Sequence, residues 1–137
     1  MKVDVFPPAG SQDYGAHTLP ASPGDWQTWT PTVAATAGAI TAYTINSARY
    51  AVYGKMVVVH VAVTIDNNGT GAGAVTITLP FTAVVNGGVL AGSERAVTGT
   101  MLQGHCSSTT CNVTTYNNLY PAAATYKLVL SGVYEAV

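Results

Sequence analysis

The stretch Met56–Ile65, MVVVHVAVTI, constrains this chain more than any other. Val57, Val59, Val61, Val63 and Ile65 recur at every second position, which is the period of a β-strand and not of a helix. The alternate positions, Met56, Val58, His60, Ala62 and Thr64, are mostly apolar as well. A strand that is apolar on both sides lies at the centre of a sandwich or against another subunit. Met56, Val58, His60 and Ala62 are therefore expected at or near a subunit contact.

The same period continues from Trp26 onward. Strands are expected at Gln27–Thr36, Ile40–Ile45, Ala48–Tyr53, Ala74–Leu79, Val89–Ser93, Val97–Gly104, Thr110–Tyr116 and Tyr126–Tyr134. Gly54-Lys55 supplies a two-residue turn before Met56. Asn68-Gly69 is a hairpin signal after Ile65, so Ala74–Leu79 is expected to return beside Met56–Ile65 until Pro80 stops it. No helical stripe is present. Thr (19), Val (18), Ala (20) and Gly (14) dominate the composition, a mixture suited to half-buried strands and tight turns. About nine short strands imply an all-β fold, an antiparallel β-sandwich or jelly-roll-like barrel.

Residues 1–25 form a different segment, with four of the seven prolines (Pro7, Pro8, Pro20, Pro23) and no apolar periodicity. Proline fixes φ and lacks an N–H, so this segment is expected to be an extended arm outside any sheet. Val3, Val5, Phe6 and Tyr14 are planted in it, and a mere tether needs no aromatic side chains. The arm is expected to attach to a partner, with residues 26–137 forming the β-sandwich domain.

Most catalytic and cofactor chemistry lacks a recognisable signature. Charged residues make up 8% of the chain and net charge is −1, so no electrostatic footprint for nucleic acid exists. No signal-like or membrane-inserting stretch is read, and synthesis in a cytosol is expected. His17, His60 and His105 stand in no nucleophile–base context. Gly69-Thr70-Gly71-Ala72-Gly73 precedes a strand rather than the helix a phosphate loop requires. The sequons at Asn68 and Asn112 are read as accidental. Cys106 and Cys111 bracket Ser107-Ser108-Thr109-Thr110; if those four are a hairpin loop, the cysteines lie opposite each other. A disulfide and free or late-oxidised thiols both stay open. With His105 they offer three ligands and no zinc spacing, so no metal site and no cofactor is expected. Trp26, Trp29, Tyr116, Asn117, Asn118 and Tyr120 have the aromatic and amide chemistry of a saccharide platform. The tryptophans also suit closure of the core where the arm enters.

Several short motifs follow one another in a set order. They are Trp26-Gln27-Thr28-Trp29-Thr30-Pro31-Thr32, Ala48-Arg49-Tyr50, Gly54-Lys55-Met56-Val57 and Ile77-Thr78-Leu79-Pro80. Gly99-Thr100-Met101-Leu102-Gln103-Gly104, Asn117-Asn118-Leu119-Tyr120-Pro121 and Leu130-Ser131-Gly132-Val133-Tyr134-Glu135 follow. This order resembles the β-rich domain of tailed-bacteriophage virion surface proteins, found at tail-fibre C-termini and in small stand-alone structural proteins. The resemblance covers about residues 26–137. It implies a non-enzymatic, usually trimeric all-β domain on the virion surface. No collagen-like or coiled-coil shaft precedes the domain, which favours a capsid decoration protein or short head spike. Its arm would then bind a capsid or tail protein. The alternative is a tail-tip or tail-fibre receptor-binding protein that grips host surface glycan through Tyr116, Asn117, Asn118 and Tyr120.

Overall fold

The computed structural model describes residues 24–137. In chain order these form β1 (Gln27–Thr28), β2 (Val33–Ala37), β3 (Ala42–Tyr53), β4 (Met56–Asn67), β5 (Ala72–Glu94), β6 (Met101–Thr115) and β7 (Lys127–Ala136), with no helix among the described residues. All pairings are antiparallel, in the order β1-β3-β4-β7-β5-β2, with β6 added on β5. The all-β antiparallel expectation holds, and the sheet curls around one core.

Two long strands produce the curl. A straight β6 of 15 residues would hold its ends roughly 50 Å apart. Instead the Tyr116 N–H, just past its end, donates to the carbonyl of Met101 at its start, at 3.0 Å. β6 therefore doubles back, turning at Ser108, whose φ is 57°. β5 follows it: Val75–Thr78 pair with Val113–Thr110, and Gly88–Ser93 pair with Cys106–Met101. Between these runs the β5 register slips on both sides of Ala83. Pro80 falls in this irregular stretch, where a residue without an N–H breaks no ladder bond. The strand does not stop at Pro80 as expected but continues through it.

The Asn68-Gly69 expectation also needs correction. The turn is present, with Gly69 at φ 58° and Gly71 N–H donating to the Asn68 carbonyl at 3.0 Å. It does not close a hairpin, because both edges of β4 are occupied by β3 and β7. β5 crosses to the other wall and receives β2 instead. The expected strand Gln27–Thr36 divides into β1 and β2 around the buried Pro31. Ile40–Ile45 and Ala48–Tyr53 merge into β3, with a bulge between Ile45 and Ser47.

The inward row of β4 is the core: Val57, Val59, Val61, Val63 and Ile65 are each 2% exposed or less. Leu128 and Leu130 of β7 and Leu90 of β5 extend that wall. Val75 and Ile77 of β5, with Cys111 and Val113 of β6, face it. The two walls leave a void of only about 10 Å³ between them. Trp29 closes one side, its indole N–H donating to the Thr78 carbonyl at 3.0 Å and its ring edge-on to Tyr50. Tyr134 ties the β5 bend to β7: its hydroxyl donates to the Phe81 carbonyl at 2.8 Å and accepts from the Phe81 N–H. Burial pushes this phenol up to about 12.

Candidate functional site

Antiparallel register gives the molecule a base and a tip. β3, with 12 residues, spans about 37 Å between them. The base gathers the Tyr53/Met56 turn, Glu135, which pairs with Met56, and Ala83, which pairs with Ser108 and Ala136. The tip gathers the 66–71, 95–100 and 116–126 connections. Thr125 N–H donates to the Ile65 carbonyl, Glu94 N–H to Thr100 and Arg95 N–H to Lys127.

Glu94 organises the tip. It is fully buried, and its carboxylate accepts from the N–H groups of Ala96, Val97, Thr98 and Lys127 and from the Thr98 hydroxyl. Burial alone would raise its pKa; the four N–H donors outweigh that and hold it down at about 2. The 95–100 loop is thus wrapped on one anion and pinned to the start of β7.

Thr115 fixes the neighbouring loop. Its hydroxyl donates to Asn117 Oδ1 at 2.6 Å and accepts from the Leu119 N–H at 2.9 Å. Tyr120 reaches across to the 66–71 turn, donating to Asn68 Oδ1 at 2.6 Å, and burial raises its pKa. Between these loops lies an open hollow of about 310 Å³, lined by Thr98, Thr100, Tyr116, Asn117, Tyr120 and Tyr126 among others. Tyr116 stands out from it, 67% exposed. Three of the four expected loop residues, Tyr116, Asn117 and Tyr120, therefore share one hollow. Asn118 does not: at φ 66° it turns to the flank of β6, where its Oδ1 accepts from Gln103 Nε2 at 2.8 Å. The tryptophans are at neither place. Trp29 is part of the core wall, and Trp26 lies under the Arg49 guanidinium, 5.1 Å from its ring centre.

The outward face of β4 runs along the side of the molecule. Val58 stands in a row with Ala51, Val133 and Val89, and His60 in a row with Arg49, Ser131 and Ala91. Ala62 is buried and His60 half-buried, but Met56 (48%), Val133 (41%) and Val89 (61%) are exposed. Four residues expected at a subunit contact thus share one face, which is apolar along the Val58 row and carries Glu135 opposite Met56 and Arg49 opposite His60. At its base end the Tyr53 hydroxyl donates to the Gly24 carbonyl at 3.4 Å. Val3, Val5, Phe6 and Tyr14 lie outside the described residues.

Cys106 and Cys111 are free thiols, both buried. They flank the Ser108 turn, which is tighter than a four-residue loop, and their side chains hydrogen-bond to each other. That bond favours ionisation at Cys106, while it and burial raise Cys111, so the pair holds at least one proton firmly. No cluster of three or more metal-ligating side chains occurs among the described residues.

Sequence reasoning missed Glu94, Gln103 and Asn112. Nothing local distinguishes an acid folded under its own loop, or an amide on a solvent-facing strand position. Compared with known proteins, the chain matches no family model, no curated protein and no solved structure.

Proposed function

We propose that the chain is a non-enzymatic structural protein of a bacteriophage virion surface, a capsid decoration protein or short head spike. In this reading it is a homotrimer held to a capsid or tail protein through its N-terminal arm. The observation that carries the reading is polarity. The chain that continues into the arm leaves at Gly24 beside Tyr53, at the base, whereas the Tyr116–Pro121 loop is at the tip, the length of β3 away. An anchored display domain needs that separation of ends. Low charge and the apolar side face support self-association, since a poorly charged surface with a large apolar patch tends to associate. The tail-tip reading is favoured by one feature, the exposed Tyr116 ring over a hydroxyl-rich hollow.

Mass spectrometry of gradient-purified particles from the source culture tests the proposal. A decoration protein is expected in hundreds of copies per particle and a tail-tip protein in a few. Absence from purified particles would overturn both placements.

A further inference from the structure

The doubling back of β6 creates a second hollow, on the flank of the sheet and next to the tip. Its volume is about 440 Å³, within the range of small-molecule sites. Gln103, His105, Asn112, Thr114 and Asn118 supply its polar wall, and Ala74, Val89 and Gly104 line the rest. No charged residue lines either this trough or the tip hollow.

The trough's hydrogen-bonding capacity is partly spent and partly held in readiness. Both N–H bonds of the Gln103 amide are used, on Thr114 Oγ1 at 3.3 Å and Asn118 Oδ1 at 2.8 Å. These bonds fix both amides and leave the Gln103 carbonyl as an acceptor and the Asn118 NH₂ as a donor. Asn112 and His105 are exposed, and neither side chain has a hydrogen-bond partner among the described residues. A wall of fixed amides can both donate and accept along its length without any charge. That is the requirement of a neutral polyhydroxyl ligand, whose every hydroxyl is donor and acceptor at once.

The two hollows meet at one turn. Asn117 lines the tip hollow and Asn118 lines the trough, with the exposed Tyr116 ring beside them. An aromatic face next to amide groups lets a sugar ring stack on one side and hydrogen-bond on the other. We propose that the Tyr116–Asn118 turn is the saddle of a single binding surface for a neutral oligosaccharide, with sugar units in the tip hollow and in the β6 trough. The trough, not the tip alone, selects the ligand, because its amides have the larger free hydrogen-bonding capacity. This inference does not depend on where the protein sits in a particle.

A glycan array probed with the full chain tests it, with neutral hexose and N-acetylhexosamine oligomers set beside sialylated and sulfated ones. The best binder is then titrated calorimetrically. Neutral oligomers are expected to bind, trisaccharides more tightly than monosaccharides. Asn112→Ala and Gln103→Ala should each weaken binding by about tenfold, the worth of one good hydrogen bond. Asn112 is exposed and unpartnered, so its variant should keep the wild-type melting temperature. Retention of acidic glycans only would overturn the proposal, as would no binding of neutral ones. Loss of binding in Asn117→Ala with none in Asn112→Ala or Gln103→Ala would restrict the site to the tip and overturn the role of the trough.

Discussion

Glu94 shows how one residue can set the shape of the tip. A carboxylate withdrawn from water is costly unless several donors replace its hydration, and here four N–H groups and a hydroxyl do so. Glu94→Gln keeps the shape but turns an NH₂ toward N–H donors that need an acceptor. It should destabilise the fold by about 2 kcal/mol, the range for hydrogen bonds to charged groups, measured by urea denaturation at pH 7. The pH dependence follows from the depressed pKa. The unfolded chain binds this proton near the ordinary value of 4.5 and the folded chain only near 2. The contribution of Glu94 is therefore complete above pH 4.5 and is lost as pH falls toward 2. The stability gap between wild type and Glu94→Gln should shrink across that window; a gap that stays constant would show that the charge is not what holds the loop. Nothing in Ser93-Glu94-Arg95 reveals this in sequence, because the acid's partners are backbone groups placed by the fold.

At the scale of elements, β5 and β6 decide the architecture, and close backbone contact makes them possible. A Cβ at Gly92 would lie 1.7 Å from the Val129 carbonyl oxygen, in the ladder that joins β5 to β7. Gly92→Ala must push two strands apart, so it is expected to cost about 3 kcal/mol, the upper end for overpacking a core, read as a lowered urea midpoint. A neutral Gly92→Ala would mean the β5–β7 ladder is looser than drawn. In β6, native Cys106 and Cys111, both buried thiols, should resist alkylation and react fully once the protein is denatured without reductant. Failure to react after denaturation would identify a bridge formed by oxidation. Much of this architecture was legible. Alternation put Val57, Val59, Val61, Val63 and Ile65 on one face and placed strands over Ala74–Leu79 and Tyr126–Tyr134, because burial on one face leaves a period of two. Gly54-Lys55 announced β3 as one partner of β4, and the pairing Tyr53↔Met56 bears it out; the second partner, β7, was not legible. A turn signal reports that the chain reverses locally, whereas occupancy of both β4 edges is decided by β3 and β7, far apart in sequence. The tip residues Tyr116, Asn117 and Tyr120 were found by residue type. Asn112 and Gln103 were not, since only the fold-back of β6 places them together.

For the whole molecule, the proposed trimer has two candidate sources of cohesion, the side face and the arm. The face has physical grounds of its own. Val58 and Val133 pair across β4 and β7 with Met56 toward the base, and Val89, next in the row, lines the β6 trough. Lys55 and Glu135 border the face at its base end, and Arg49, beside His60, is stacked on Trp26. Closed threefold association would cover this surface in every copy and leave no unsatisfied patch to propagate. Val133 is 41% exposed, so Val133→Asp should leave the monomer folded while burying an unpaired carboxylate in any interface there, a cost of several kcal/mol. Sedimentation at micromolar concentration should find the wild type trimeric and Val133→Asp monomeric, with unchanged far-ultraviolet dichroism. Removal of residues 1–23 separates the two candidates. If the face assembles the trimer and the arm serves attachment, the truncated protein stays trimeric and no longer joins particles. If it falls to monomers while its β-domain still melts normally, the arm is the clasp. A full chain that sediments as a monomer at that concentration would remove the side face from the account altogether.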